Sequence, residues 1–132
     1  MEQFDIKTDK SRNRLYCILK GFFLESEIEL AFDRISTELN ELSDGYDVIL
    51  DIWNMRTQPE FLKELFDDRL KKIIEPDCRY IFKVTPNKML KPDKNPDKLP
   101  HENHSRIRWI SYIHEAEAFL ETDSLIKGII YN

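Results

Sequence analysis

The chain has 132 residues, 41% hydrophobic and 34% charged, which is the size and make-up of one soluble globular domain able to bury a core without metals or disulfides. Twenty Lys and Arg against 25 Asp and Glu leave a net charge of −5, which argues against a dedicated nucleic-acid binder or a protein that coats anionic membranes. With only Gly21, Gly45 and Gly128 there is no glycine-rich phosphate loop, and no apolar run nears the roughly 18–20 residues that a membrane span requires.

Phe4-Asp5-Ile6-Lys7 alternates as a half-buried edge strand does, and the polar stretch Thr8 to Asn13 then predicts a hairpin turn. Leu15-Tyr16-Cys17-Ile18-Leu19 is apolar at every position, the pattern of a strand covered on both faces, and Gly21 ends it. Ser26 and Glu29 have the spacing of a capping box at a helix start. Ile28, Ala31, Phe32, Ile35, Leu39 and Leu42 follow as one apolar stripe, until Ser43-Asp44-Gly45 stops the helix. Tyr46 to Trp53 predicts a second buried strand. Thr57 and Glu60 repeat the capping-box spacing, with Pro59 in the first turn. The helix behind them buries Phe61, Leu62, Leu65, Phe66, Leu70, Ile73 and Ile74 and is terminated by Pro76.

Tyr80-Ile81-Phe82-Lys83-Val84 is expected as a third buried strand. Residues 86–105 hold Pro86, Pro92, Pro96 and Pro100 and few apolar groups, so a proline-rich mobile loop is expected there. Arg106 to Ile110 alternates as a last strand, and Ser111 is placed to cap a helix carrying Ile113, Ala116, Phe119 and Leu120. The tail 124–132, with Leu125, Ile126, Ile129 and Ile130, is too apolar to hang free and is expected to dock on the body.

Strand, helix, strand, helix, strand is the order of right-handed crossovers, which makes the central strands parallel neighbours. The expected fold is therefore a single α/β domain spanning 1–132, with a mixed four- to five-stranded sheet, parallel core strands and helices mainly on one face. The run Leu15 to Gly21, the acidic helix from Ser26, the strand ending Val48-Ile49-Leu50-Asp51-Ile52, the helix from Pro59 and the final His114-Glu115-Ala116-Glu117-Ala118-Phe119-Leu120 together resemble the STAS domain of bacterial anti-sigma-factor antagonists, over about residues 2–122. That resemblance implies a protein-interaction module, often switched by phosphorylation of a Ser or Thr after the Leu-Asp-Ile strand. Here Asp51 is followed by Ile52-Trp53-Asn54-Met55-Arg56-Thr57-Gln58-Pro59-Glu60, which lacks the Asp-Ser-Ser-Gly-like context. Thr57 is the hydroxyl available for phosphorylation, and its spacing to Glu60 already explains it as a helix cap.

Ligands of open α/β sheets bind beyond the carboxyl ends of the strands. Asp51, Asn54, Arg56 and Thr57, joined by Thr85 and Asn87 after the next strand, form the candidate ligand or partner site. Asp51 has the alternative of accepting backbone N–H groups in the following turn. Cys17 and Cys78 are expected as reduced core thiols, with no histidine in a motif beside either. His101-Glu102-Asn103-His104 has two imidazoles three apart, but loop histidines without cysteine partners are expected to be solvated, so no metal and no cofactor are expected.

Glu27, Asp33, Glu38 and Glu41 give the first helix an acidic face suited to a basic protein partner. If the helices leave one sheet face bare, the tail or a second copy of the chain must cover it, so a homodimer is expected as one solution. No nucleophile with its base can be assembled, and the chain is read as a cytoplasmic, non-enzymatic interaction module. The alternative is a carrier of a small apolar or anionic ligand near Asp51, Arg56 and Thr85.

Overall fold

Five strands, β1 (Phe4–Asp9), β2 (Arg14–Gly21), β3 (Tyr46–Met55), β4 (Cys78–Val84) and β5 (Ile107–Ile110), form one sheet in the order β1-β2-β3-β4-β5. β1 pairs antiparallel with β2, and the other three pairs are parallel. The computed structural model describes residues 3–86 and 106–131, with side chains as far as Asp123. The expectations for the loop 86–105, and with them Asn87, His101 and His104, fall outside the described residues beyond Pro86.

The apolar runs are explained by cover on both faces of the sheet. Along β3, Val48 and Leu50 belong to the core under the first two helices, while Ile49 belongs to the core on the opposite side. The tight connections use residues that tolerate positive φ: Asn13 in the hairpin at 54° and Gly45 ahead of β3 at 84°. Asn13 also ties the hairpin to the end of the first helix, accepting the Ser43 N–H at 2.8 Å and donating to its carbonyl at 3.1 Å.

α1 (Glu25–Leu39) and α2 (Glu60–Arg69) are the two crossover helices, and both pack on the same face. Successive parallel crossovers that step the same way across a sheet, with the same hand, place their helices together. Phe32 of α1 meets Phe66 of α2 edge to face at 5.2 Å. α2 continues through a π-helical turn (Leu70–Ile74) and a tight 3-10 turn (Glu75–Asp77) that contains Pro76. The buried Tyr46 hydroxyl donates to the Ile74 carbonyl at 2.6 Å, satisfying an acceptor where the helical ladder changes pitch.

The hydroxyl caps predicted at Ser26 and Thr57 do not form. α1 starts a turn-fraction earlier, at Glu25, where the Glu27 carboxylate accepts the Leu24 N–H at 2.9 Å, and Glu29 pairs instead with Arg69 of α2 at 2.6 Å. α2 starts behind Pro59, whose carbonyl accepts the N–H groups of Leu62 and Lys63. Leu62, Phe66, Leu70 and Ile74 lie on one row four residues apart, buried except for the half-buried Phe66, and Phe61, which is off that row, is 63% exposed rather than buried.

α3 (Ile113–Tyr131) covers the other sheet face. Ala116 and Leu120 pack on Ile49, Phe82 and Val84, so the face expected to need the tail or a second copy is covered by the final helix. The Glu115 carboxylate accepts the backbone N–H groups of Ser111 and Tyr112 at 3.2 and 2.8 Å, the same reach-back that closes α1. Instead of stopping before a separate tail, α3 runs through 124–131: Thr122-Asp123-Ser124 are weak helix formers, not breakers, and Leu125, Ile126, Ile129 and Ile130 keep helical spacing. No helix among the described residues is long and apolar enough to cross a membrane.

Candidate functional site

No residue of β5 belongs to the core beneath α1 and α2. The far end of that sheet face is therefore left open between α2 and strands β3 to β5, and a cavity of about 300 Å³ occupies the space. Its floor is a row across three strands, Leu50, Lys83 and Trp109, which are register neighbours. Ile52 and Met55 extend the floor along β3, and Phe66 closes it from α2. The polar wall is Arg56, Thr57 and Gln58 from the turn after β3, with Lys63 and Asp67 from α2.

Three cations thus face one carboxylate inside an acidic protein. Elsewhere the cations are mostly paired: Lys10 with Glu41, Arg34 with Glu38, Arg69 with Glu29 and Asp68, Arg79 with Asp47 and Asp123. Among the described residues, Arg56, Lys63 and Lys83 have no carboxylate within 4.0 Å, as is also so of Arg14, Lys20, Lys71, Arg106 and Arg108, but these three share one cavity. Lys83 stands with its Nζ 4.9 Å from the centre of the Trp109 ring, a cation over an aromatic face. Burial pushes its ammonium below the ordinary lysine value, with Asp67 and Glu75 opposing that shift and Lys71 adding to it. A cationic floor flanked by Leu50, Ile52, Met55, Phe66 and Trp109 suits an anion that also carries an apolar part.

The structure divides the residues expected at the strand ends. Arg56 and Thr57 line the cavity, and Thr57 is free of the capping role that its spacing suggests. Asp51 points to the α3 face, between Ile49 and Trp53, and accepts the Trp53 N–H at 3.0 Å. Asn54 is exposed outside the cavity lining. Thr85 is buried, and its N–H donates to the Ile110 carbonyl at 2.9 Å. Asn87 lies outside the described residues. Lys63, Asp67, Lys83 and Trp109 were not singled out by motif reasoning. The available signal was Lys83 itself, one charge in the middle of the apolar strand Tyr80 to Val84.

The acidic face of α1 is largely engaged within the protein. Glu27 holds the Leu24 N–H, Glu38 pairs with Arg34 at 3.1 Å and Glu41 with Lys10 at 2.6 Å, leaving Asp33 exposed. Cys17 and Cys78 are both buried, and burial raises both thiols, Cys78 to about 12. Their nucleophilic thiolate forms are thereby disfavoured. His114 stacks on Tyr112 at 5.5 Å, and no group of three or more metal-ligating side chains occurs among the described residues. No protein-family model, curated protein or solved structure matches the chain.

Proposed function

We propose that the protein is a cytoplasmic carrier or sensor of a small anionic molecule with an apolar portion, held in the crevice between α2 and strands β3 to β5. The observation that supports this most is the set of Arg56, Lys63 and Lys83 on one cavity of about 300 Å³, without ion-pair partners among the described residues of an acidic chain. Arg56 and Lys63 are exposed at the rim, whereas the largely desolvated charge of Lys83 beside apolar surface is costly unless a ligand offsets it. The volume is at the small end of the roughly 300–1,000 Å³ common for ligand sites, so a single ring or a short chain is the expected size.

Titration with 1-anilinonaphthalene-8-sulfonate, an aromatic sulfonate that fluoresces when desolvated, tests the reading. Saturable one-site binding, weakened about tenfold or more in an Arg56→Met/Lys63→Met variant and displaced by decanoate, supports it. Absence of saturable binding, or binding indifferent to that double change, overturns it.

A second reading, a STAS-like interaction module, is supported by a different observation. Phe22, Leu24 and Phe61 are 39%, 56% and 63% exposed in the segments that follow the carboxyl ends of β2 and β3. Sedimentation of the chain beside a Leu24→Ser/Phe61→Ser variant tests it for a second copy as the partner: a dimer that the variant disperses supports the reading, and a monomer at high concentration counts against it.

A further inference from the structure

Lys83 occupies a strand position whose neighbours in the register are Leu50 and Trp109, and the residues two before and two after it, Ile81 in β4 and Thr85 just past its end, are buried. A lysine is the least suited residue for such a place, because its ammonium loses hydration there. A structural role would bring a carboxylate to it. Asp67 lines the same cavity, yet among the described residues Lys83 forms no ion pair, and its charge stands over the Trp109 ring at 4.9 Å. A small ligand held by Arg56 and Lys63 would lie against the Lys83 amine.

We infer that Lys83 captures the ligand covalently: the cavity takes an aldehyde or ketone bearing an anionic group, and the Lys83 amine forms an imine with its carbonyl carbon. This rests on the anion-binding reading above and names the ligand class for the same cavity. The amine nitrogen attacks the carbonyl carbon, one N–H proton passes to the carbonyl oxygen to give a carbinolamine, and the hydroxyl leaves with the second N–H proton as water. The C=N bond replaces C=O with no change of oxidation state, so no further reactant is required. The depressed basicity of Lys83 supplies more free amine at neutral pH than a solvated lysine has. Arg56 and Lys63 provide the counter-charges that orient the anionic end, and Trp109 provides an apolar wall for the carbonyl-bearing part.

The test treats the intact chain with one equivalent of 4-formylbenzoate in the presence of cyanoborohydride, which reduces an imine to a stable secondary amine, and maps the adduct by peptide mass. The expected result is one dominant adduct on Lys83, suppressed by excess 1-anilinonaphthalene-8-sulfonate. In Lys83→Arg, which keeps the charge but has no amine able to form the imine, the adduct is lost. An adduct spread over exposed lysines such as Lys71 and Lys72, with Lys83 no more modified than they are, overturns the inference. The dye titration decides the anion-binding reading separately: dye bound with no Lys83 adduct removes the imine and leaves that reading standing.

Discussion

Gln58 bonds to Phe23 through both ends of its side-chain amide. Its Oε1 accepts the Phe23 N–H at 2.9 Å and its Nε2 donates to the Phe23 carbonyl at 2.8 Å, in a buried setting. One side chain therefore does the work of a short strand pairing between the segment leaving β2 and the segment leaving β3, just where both feed their helices. Gln58 also lines the cavity, so this pairing sets the position of the turn that carries Arg56 and Thr57. Gln58→Ala strands two buried backbone groups and is expected to cost about 2–3 kcal/mol in urea unfolding, with weaker dye binding alongside. An unchanged midpoint would show that water takes over both bonds.

Arg79 joins the sheet to α3. It pairs with the buried Asp47 at 2.8 Å and reaches Asp123 of α3 at 3.0 Å. The two halves of this bridge are unequal, because Asp47 is 4% exposed and Asp123 is 22% exposed. Arg79→Met leaves a carboxylate buried without its counter-ion and is expected to cost about 3 kcal/mol, while Asp123→Ala removes a partly solvated pair and is expected to cost about 0.5–1 kcal/mol. Chemical unfolding of the two variants checks the asymmetry, and equal losses would place the main role of Arg79 at α3.

The strands and crossover helices were legible because their signal is dense. Leu15 to Leu19 and Tyr46 to Trp53 are apolar on both sides since α1 and α2 cover one face and α3 the other. That same double cover hid the site. In a strand apolar on both faces, little in the pattern says which residues share a face, so Asp51 stood out as a polar residue while its neighbours Leu50 and Ile52 face the cavity. Lys83 and Trp109 meet only through the pairing of β4 with β5, whose register no local pattern encodes. Helix starts failed for a smaller reason: Glu27 and Glu29 are both within reach of a cap, and Arg69, distant in sequence, takes Glu29.

Both thiols are expected to be inert in the folded protein. Burial raises Cys78 from 9.0 to about 12, with the Asp47 carboxylate adding to the effect, and raises Cys17 further. A disulfide-exchange reagent should react with neither at mildly alkaline pH until denaturant is added, and a fast phase from the native chain would refute this. The sign for stability follows: the unfolded chain loses these protons first, so the thiol contribution is intact below about 9 and declines as pH climbs toward about 12. Stability measured across that interval should fall more in the wild type than in a Cys78→Ala variant.

Lys83→Met tests whether the cavity lysine is kept for stability or for binding. Methionine fills similar length without a charge to desolvate, and what it gives up is the contact with Trp109, worth about 0.5–1 kcal/mol. The variant is therefore expected to match or exceed the wild type, by up to about 1 kcal/mol or about 3–5 °C in Tm, while losing anion binding. The advantage has a pH signature. Because the folded ammonium lies below 10.5, the unfolded chain holds more protons between that lowered value and 10.5, and wild-type stability gains with rising pH across this window. Asp67 and Glu75 narrow the window and Lys71 widens it. The difference between variant and wild type should thus be largest at neutral pH and shrink toward 10.5. A Lys83→Met protein clearly less stable than the wild type at neutral pH would make the lysine a structural element and withdraw the main support for a ligand site here.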